Sequence, residues 1–219
     1  YSELELQNLA KILLKHPHVW VMCDDLYEHI IFDNLKFKNI LQVDKKLRSR
    51  TFVVNGVSKA YAMTGWRLGY GAGPKNLIKE ISKIQSQSTT HTSSISQAAA
   101  IEALNNSDEF INKNKKIFQE RRDLIFSKLK DFSPLQVFLP QGSFYVYVCC
   151  NDLMGKKKDD GTEIKNDIDL SDYFLDEGVA VVPGEAFGCS NFFRISFATS
   201  NENIIEGCDK VVSACKKLK

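Results

Sequence analysis

The sequence predicts an α/β chain: an open sheet with helices around it, followed by a smaller α+β unit. Three observations carry this. Two apolar, β-branched runs, 18–23 and 51–54, are separated by enough chain for a crossover connection. A third run, 67–73, follows the second after only a short link and stops at Pro74. Past Phe132 the pattern changes to short strands and helices.

Taken in order, Ser2-Glu3-Leu4-Glu5 is a capping box opening a helix over 2–15, with Leu4, Leu9, Ile12, Leu13 and Leu14 favouring one side. His18-Val19-Trp20-Val21-Met22-Cys23 reads as a strand buried on both faces, ending in Asp24-Asp25-Leu26-Tyr27-Glu28. Thr51–Val54 is the next strand and ends in Asn55-Gly56-Val57-Ser58-Lys59. The third run, with Gly69, Gly71 and Gly73, is a close-packed strand and not a dinucleotide fingerprint, because it closes a strand and Pro74 follows. Helices are expected at 76–85 and 94–104. A long amphipathic helix capped by Ser107 comes next, its apolar pairs 110/111, 117/118 and 124/125 repeating every seven residues. Beyond it come a strand at 143–150, a polar loop through 156–160, a helix at 169–177 closed by Gly178, strands at 179–182 and 192–197, and a final helix from about Glu202. A boundary is expected near 125–130, inside or just after the long helix.

Of 219 residues, 43% are apolar and 26% charged, which excludes disorder and small disulfide scaffolds. The balance of 29 basic and 27 acidic residues is +2, and no basic block exceeds Lys156-Lys157-Lys158, so neither a nucleic-acid nor a membrane surface is expected. The six cysteines form no C-x-x-C pair and read as reduced thiols in a cytoplasm-like compartment. His16 and His18 flank Pro17 without an acidic or Cys partner, so a loop and no metal site is expected. The amino end reads as an acid-bearing helix rather than a targeting segment. Because the chain opens on Tyr1 as if in mid-fold, it is expected to be a fragment.

The first three strands pose a geometric problem. Two buried strands joined by a crossover-length segment are most simply parallel, which puts Asp24 and Lys59 at carboxyl ends on one edge, where open α/β sheets bind ligands. The link to the third run is too short for a crossover, so that strand should be antiparallel and return Arg67 to the same edge. Asp24, Tyr27, Lys59 and Arg67 are therefore expected to converge. A lysine near a fixed cation can act as an amine nucleophile, a carboxylate can hold a protonated ring nitrogen, and an arginine can hold a phosphate. Those are the requirements of pyridoxal 5′-phosphate. Read alone, Asp24 and Asp25 would more often cap a strand end than act as catalytic acids, and Asp25 is taken as structural. Arg194, between aromatics on a strand, needs a carboxylate partner, either a ligand's or a structural Asp or Glu. His29 and His91 are taken as structural or surface residues.

The segment Ser58-Lys59-Ala60-Tyr61-Ala62-Met63-Thr64-Gly65-Trp66-Arg67-Leu68-Gly69-Tyr70 closely resembles the cofactor-lysine segment of class I aminotransferases, and within them the bacterial-type aspartate aminotransferases. Asp24-x-x-Tyr27-Glu28-His29, Gln87-Ser88-Thr89-Thr90, Pro140-Gln141-Gly142-Ser143-Phe144-Tyr145 and Phe193-Arg194-Ile195-Ser196-Phe197-Ala198 match in order, so the resemblance covers essentially the whole chain.

The resemblance implies a fold-type I pyridoxal-phosphate transferase. Residues 1–106 would be part of the large mixed-sheet domain, 107–130 the bridging helix and 131–219 the small carboxyl-terminal α+β domain. Carried over residue by residue, Lys59 would be the Schiff-base lysine and proton shuttle, and Asp24 the partner of the pyridinium nitrogen. Tyr27 would bond the ring's 3′-oxygen, Arg67 and Ser58 would bind the phosphate, and Arg194 the substrate α-carboxylate. Other branches carry Ser where this chain has Gly56. The implied reaction is transamination between L-aspartate and 2-oxoglutarate, in the cytoplasm, by a homodimer whose only other partners are amino and keto acids. Prephenate or aromatic transamination is the neighbouring reading, and a non-catalytic aminotransferase-like sensor domain the reading from another class. Family chains are about twice this length, with the phosphate loop and the ring-stacking aromatic upstream, so the isolated chain is expected to be inactive.

Overall fold

A computed structural model describes residues 1–219. The chain resolves into two compact units, Tyr1–Asn114 and Lys115–Lys219. The division falls inside a long helix, upstream of the expected 125–130.

In the first unit, helix α1 (Glu3–Lys15) starts on the expected capping box: Ser2 Oγ accepts the Glu5 N–H, and the Glu5 carboxylate accepts the Ser2 N–H at 2.6 Å. Strand β1 (Val21–Asp24) leads to a short helix α2 (Ile40–Val43) and a 3-10 turn, Lys45–Arg50. Strands β2 (Thr51–Gly56) and β3 (Gly69–Ala72) follow, then helices α3 (Lys75–Ser88), α4 (Ser94–Asn106) and the start of α5 (Asp108–Leu129).

The sheet has the order β1-β2-β3, with β1 parallel and β3 antiparallel to β2, as the connection lengths required. Leu6, Ala10, Ile40 and Leu47 form a core cluster against which Leu13, Val21 and Cys23 pack. Two expectations change here. Strand β1 is covered on one face only: Val21 and Cys23 face the cluster, whereas Met22 is 72% exposed. The buried face of α1 is Leu6 and Ala10, and Leu4, Leu9, Ile12 and Leu14 lie exposed. The guanidinium of Arg50 gathers the far end of α1 by donating to the carbonyls of Leu13 in its last turn and of His16 and Val19 just beyond it. Close packing in β3 is local. A Cβ on Gly71 would come within 2.3 Å of the Phe52 ring, which therefore requires glycine there.

The second unit is an antiparallel sheet in the order β4-β5-β7-β6, built from β4 (Gln136–Val137), β5 (Tyr145–Cys149), β6 (Val182–Pro183) and β7 (Phe192–Ser196). Helices α6 (Asp167–Asp176) and α7 (Asn201–Lys217) accompany it. Alternation sorts the side chains. Val146, Val148, Phe193 and Phe197 are buried, with Phe193 edge-on to Phe174 of α6 at 5.3 Å. Phe118 of α5 stacks on Phe144 at 5.5 Å. The Tyr173 hydroxyl donates to the Ala214 carbonyl at 3.1 Å and joins α6 to α7. The carboxyl end pairs back onto the polar loop through Lys157 and Lys219, whose backbones exchange hydrogen bonds of 2.9 and 3.0 Å.

Candidate active site

Strand β1 stops at Asp24, whose Oδ1 accepts the Leu26 N–H at 3.3 Å and starts the turn that carries Tyr27. Its neighbour Asp25 continues the parallel pairing by donating its N–H to the Val54 carbonyl at 2.9 Å. The Asp25 side chain turns inward and accepts from the Asn39 amide at 2.9 Å. Burial pushes its carboxyl above the usual value, against the opposing effect of that hydrogen bond. The two adjacent aspartates thus have different roles: Asp25 is internal structure and Asp24 is presented outward.

Strand β2 ends at Gly56, opposite Gly69 of β3. The chain then folds into a compact loop in which Ala62 donates to the Lys59 carbonyl at 3.1 Å and Met63 to that of Val57 at 3.3 Å. This loop sets Lys59 Nζ 5.9 Å from the centroid of the Tyr27 ring. Val57 and Ala60 are buried, so they anchor the loop on either side of half-buried Ser58 and Lys59.

Arg67 lies just before β3 rather than in it, with left-handed backbone (φ 53°), and its Nη1 donates to the Thr64 carbonyl at 3.0 Å. Asp24, Lys59 and Arg67 accordingly stand at the same edge of the sheet: the carboxyl ends of β1 and β2 and the amino end of β3.

Sequence reasoning missed a brace at this edge. The Asn55 amide donates to Glu28, while Asn55 Oδ1 accepts the Gly56 N–H at 2.7 Å. Behind it, burial holds the Tyr61 and Tyr70 phenols above their ordinary value, and the Glu28 charge adds to both shifts. The available signal was Asn55 itself, a polar side chain directly after the apolar run 51–54.

In the second unit, Arg194 pairs across the sheet with Tyr147 and Val182. Its guanidinium lies 4.0 Å from the Tyr145 ring centroid and 4.4 Å from that of Phe187. Those rings are its neighbours, and no carboxylate of this unit forms an ion pair with it. Of the two partners expected for Arg194, a structural acid in its own unit is therefore not the one found. A guanidinium set over ring faces keeps N–H donors in its own plane, the geometry that can bond a carboxylate through two hydrogen bonds.

Residues 1–211 match the family described as aminotransferase class I and II. The chain belongs to this family. As an aminotransferase chain it is 51% identical to a probable aspartate/prephenate aminotransferase of Rickettsia felis, over all of its own length and 54% of that protein. It is 47% identical to the crystal structure of an aspartate aminotransferase from Rhizobium meliloti, with a TM-score of 0.95 over the whole chain and 55% of that structure. An aromatic aminotransferase of Pyrococcus horikoshii aligns with a TM-score of 0.86 at 32% identity, over 99% of this chain and 56% of that one. The chain spans about half the length of the curated relatives it matches.

Aminotransferases of this family depend on pyridoxal 5′-phosphate, and this chain's residues fit that group. The edge offers an amine on a phenol face, an outward carboxylate, a hydroxyl at Ser58 and an exposed guanidinium at Arg67.

Proposed function

We propose that this aminotransferase moves an amino group between L-aspartate and 2-oxoglutarate, giving oxaloacetate and L-glutamate, with pyridoxal 5′-phosphate held by Lys59. The observation that carries the reading is the placement of Lys59 Nζ over Tyr27, at an edge shared with Asp24, Ser58 and Arg67. The names of the Rhizobium and Rickettsia relatives support aspartate as the donor.

Pyridoxal 5′-phosphate, when bound, supplies a sink for the electron pair left at the substrate Cα and stores the amino group between two half-reactions. Lys59 Nζ takes the proton from the amino-acid Cα and returns one to the Cα of the incoming keto acid. Asp24 keeps the ring nitrogen protonated by placing a negative charge beside it. Tyr27 donates its hydroxyl hydrogen to the ring oxygen, and Arg67 with Ser58 holds the phosphate. Arg194 receives the α-carboxylate that every substrate has in common, in a fork of two hydrogen bonds. A homodimer in a reducing, cytoplasm-like compartment completes the proposal. The 219-residue chain alone is expected to turn over no substrate, since it spans about half the length of its relatives.

The test is a panel of keto acids, prephenate included, run on the whole protein with aspartate, glutamate and phenylalanine as donors. Aspartate with 2-oxoglutarate should give the highest kcat/KM. Faster turnover of prephenate or aromatic acids would favour the second reading, which the name of the Rickettsia relative supports. Cofactor binding without turnover of any pair would leave a sensor domain instead.

A further inference from the structure

Asp167, at the first helical position of α6, is 1% exposed, and its carboxylate faces the loop between β6 and β7. Oδ2 accepts the Glu185 N–H at 2.7 Å and Oδ1 the Asn191 N–H at 3.3 Å. A buried carboxylate is costly unless it is hydrogen-bonded, and the amino end of a helix offsets part of that cost. These two amides bracket the loop that carries Phe187, the ring on Arg194.

The loop is tight at both ends. Cys189 N–H donates to the Gly184 carbonyl at 3.1 Å, and a Cβ on Gly184 would meet the Cys189 carbonyl at 2.2 Å. Asn191 is left-handed (φ 64°) and accepts the Cys150 N–H at 2.9 Å. The Phe187 ring is itself 48% exposed, so burial does not hold it in place. Its position depends on the loop, and the loop depends on the Asp167 carboxylate.

We infer that Asp167 is a positioning residue for carboxylate recognition: it holds the 184–191 loop so that Phe187 packs on the Arg194 guanidinium and fixes the plane of its donors. This rests on the reading of Arg194 as the partner of the substrate carboxylate. Asp167 touches no substrate; it acts through the loop.

The experiment uses the whole protein with cofactor and five variants: Asp167→Asn, Glu185→Pro, Phe187→Leu, the double variant Asp167→Asn with Phe187→Leu, and Arg194→Lys. KM and kcat are measured for aspartate and 2-oxoglutarate, the Kd of maleate by calorimetry, and hydrogen exchange across 184–191. Asp167→Asn should raise both KM values and the maleate Kd by about tenfold, change kcat far less, and speed exchange in the loop. Glu185→Pro removes one donor to the carboxylate and should shift the same constants in the same direction by less. Phe187→Leu should match Asp167→Asn, and the double variant should add nothing. A folded Asp167→Asn protein with a lower Tm but unchanged KM and Kd overturns the inference. Should that variant fail to fold, unchanged affinities in both Glu185→Pro and Phe187→Leu overturn it equally. If Arg194→Lys weakens binding and the loop variants do not, only the Asp167 inference falls. If Arg194→Lys leaves affinity unchanged, the Arg194 reading falls and takes this one with it.

Discussion

The side-chain amide of Asn55 joins Glu28 across the carboxyl edge of the first sheet and accepts the Gly56 N–H at 2.7 Å. That pair ties the turn carrying Tyr27 to the loop carrying Lys59. Asn55→Ala leaves a half-buried carboxylate and a strand-end N–H without this partner, at a cost of about 1–3 kcal/mol. The expected outcome is a lower Tm together with faster loss of cofactor on dilution, followed by its absorbance. Glu28→Gln keeps an acceptor for Asn55 and should retain most of both. Equal losses in the two variants would argue for charge rather than for the brace.

Lys59→Ala removes the amine proposed to take the Cα proton, so turnover should fall by at least the ~10²–10⁴-fold typical of a lost general base. Borohydride reduction of the cofactor-loaded parent should fix a covalent label on the peptide containing Lys59, and the variant should carry none. A label that persists in Lys59→Ala would move the covalent role to another lysine.

The edge where Asp24, Lys59 and Arg67 meet was legible because connection length decides strand direction: only a short link joins β2 to β3, and it forces the return. The start of α1 was legible because a capping box is local chemistry, held between Ser2 and Glu5. The faces were less so. Leu4 and Ile12 were read by spacing as part of one apolar side, yet burial in α1 falls on Leu6 and Ala10, because Ile40 and Leu47 meet the helix there. Burial on both faces was inferred for β1 from its apolar run, but the layer over Val21 and Cys23 has no counterpart over Met22. Asp167 was invisible because its partners are backbone amides of residues 18 and 24 positions away, which no side-chain pattern records.

Asp25 gives a prediction about pH. Its carboxyl is raised in the folded chain by burial, so the fold binds that proton more tightly than the unfolded chain does. The contribution of this group is therefore greatest below the ordinary carboxylate value and is lost as pH rises through the raised one. Asp25→Asn keeps an oxygen for the Asn39 amide and removes the charge. Its Tm relative to the parent should rise across the window that starts at the ordinary carboxylate value and ends just above the raised one, then stay level. A difference independent of pH across that window would mean that Asp25 is not ionising there.

The cysteines separate by burial, and their chemistry should follow. Cys150, Cys208 and Cys215 are buried, and desolvation pushes their thiols to about 12, about 11 and about 12. The thiolate is the nucleophile, so at pH 8 these three are almost wholly in the unreactive form as well as shielded. Cys149 and Cys189 are half-buried, one on the face of β5 that carries Tyr145 and Tyr147, the other in the loop beside Arg194. Cys23 is half-buried too, and burial with the nearby Asp25 charge raises its thiol. Iodoacetamide at pH 8 should therefore modify Cys149 and Cys189 first and Cys23 later, as read by peptide mass spectrometry. Cys150, Cys208 and Cys215 all lie in the second unit, so they should become reactive together, at the urea concentration that opens that unit. Labelling of Cys150 before Cys189 in the absence of denaturant would show that β5 opens locally, contrary to the packing of Val146 and Val148 at 0% exposure.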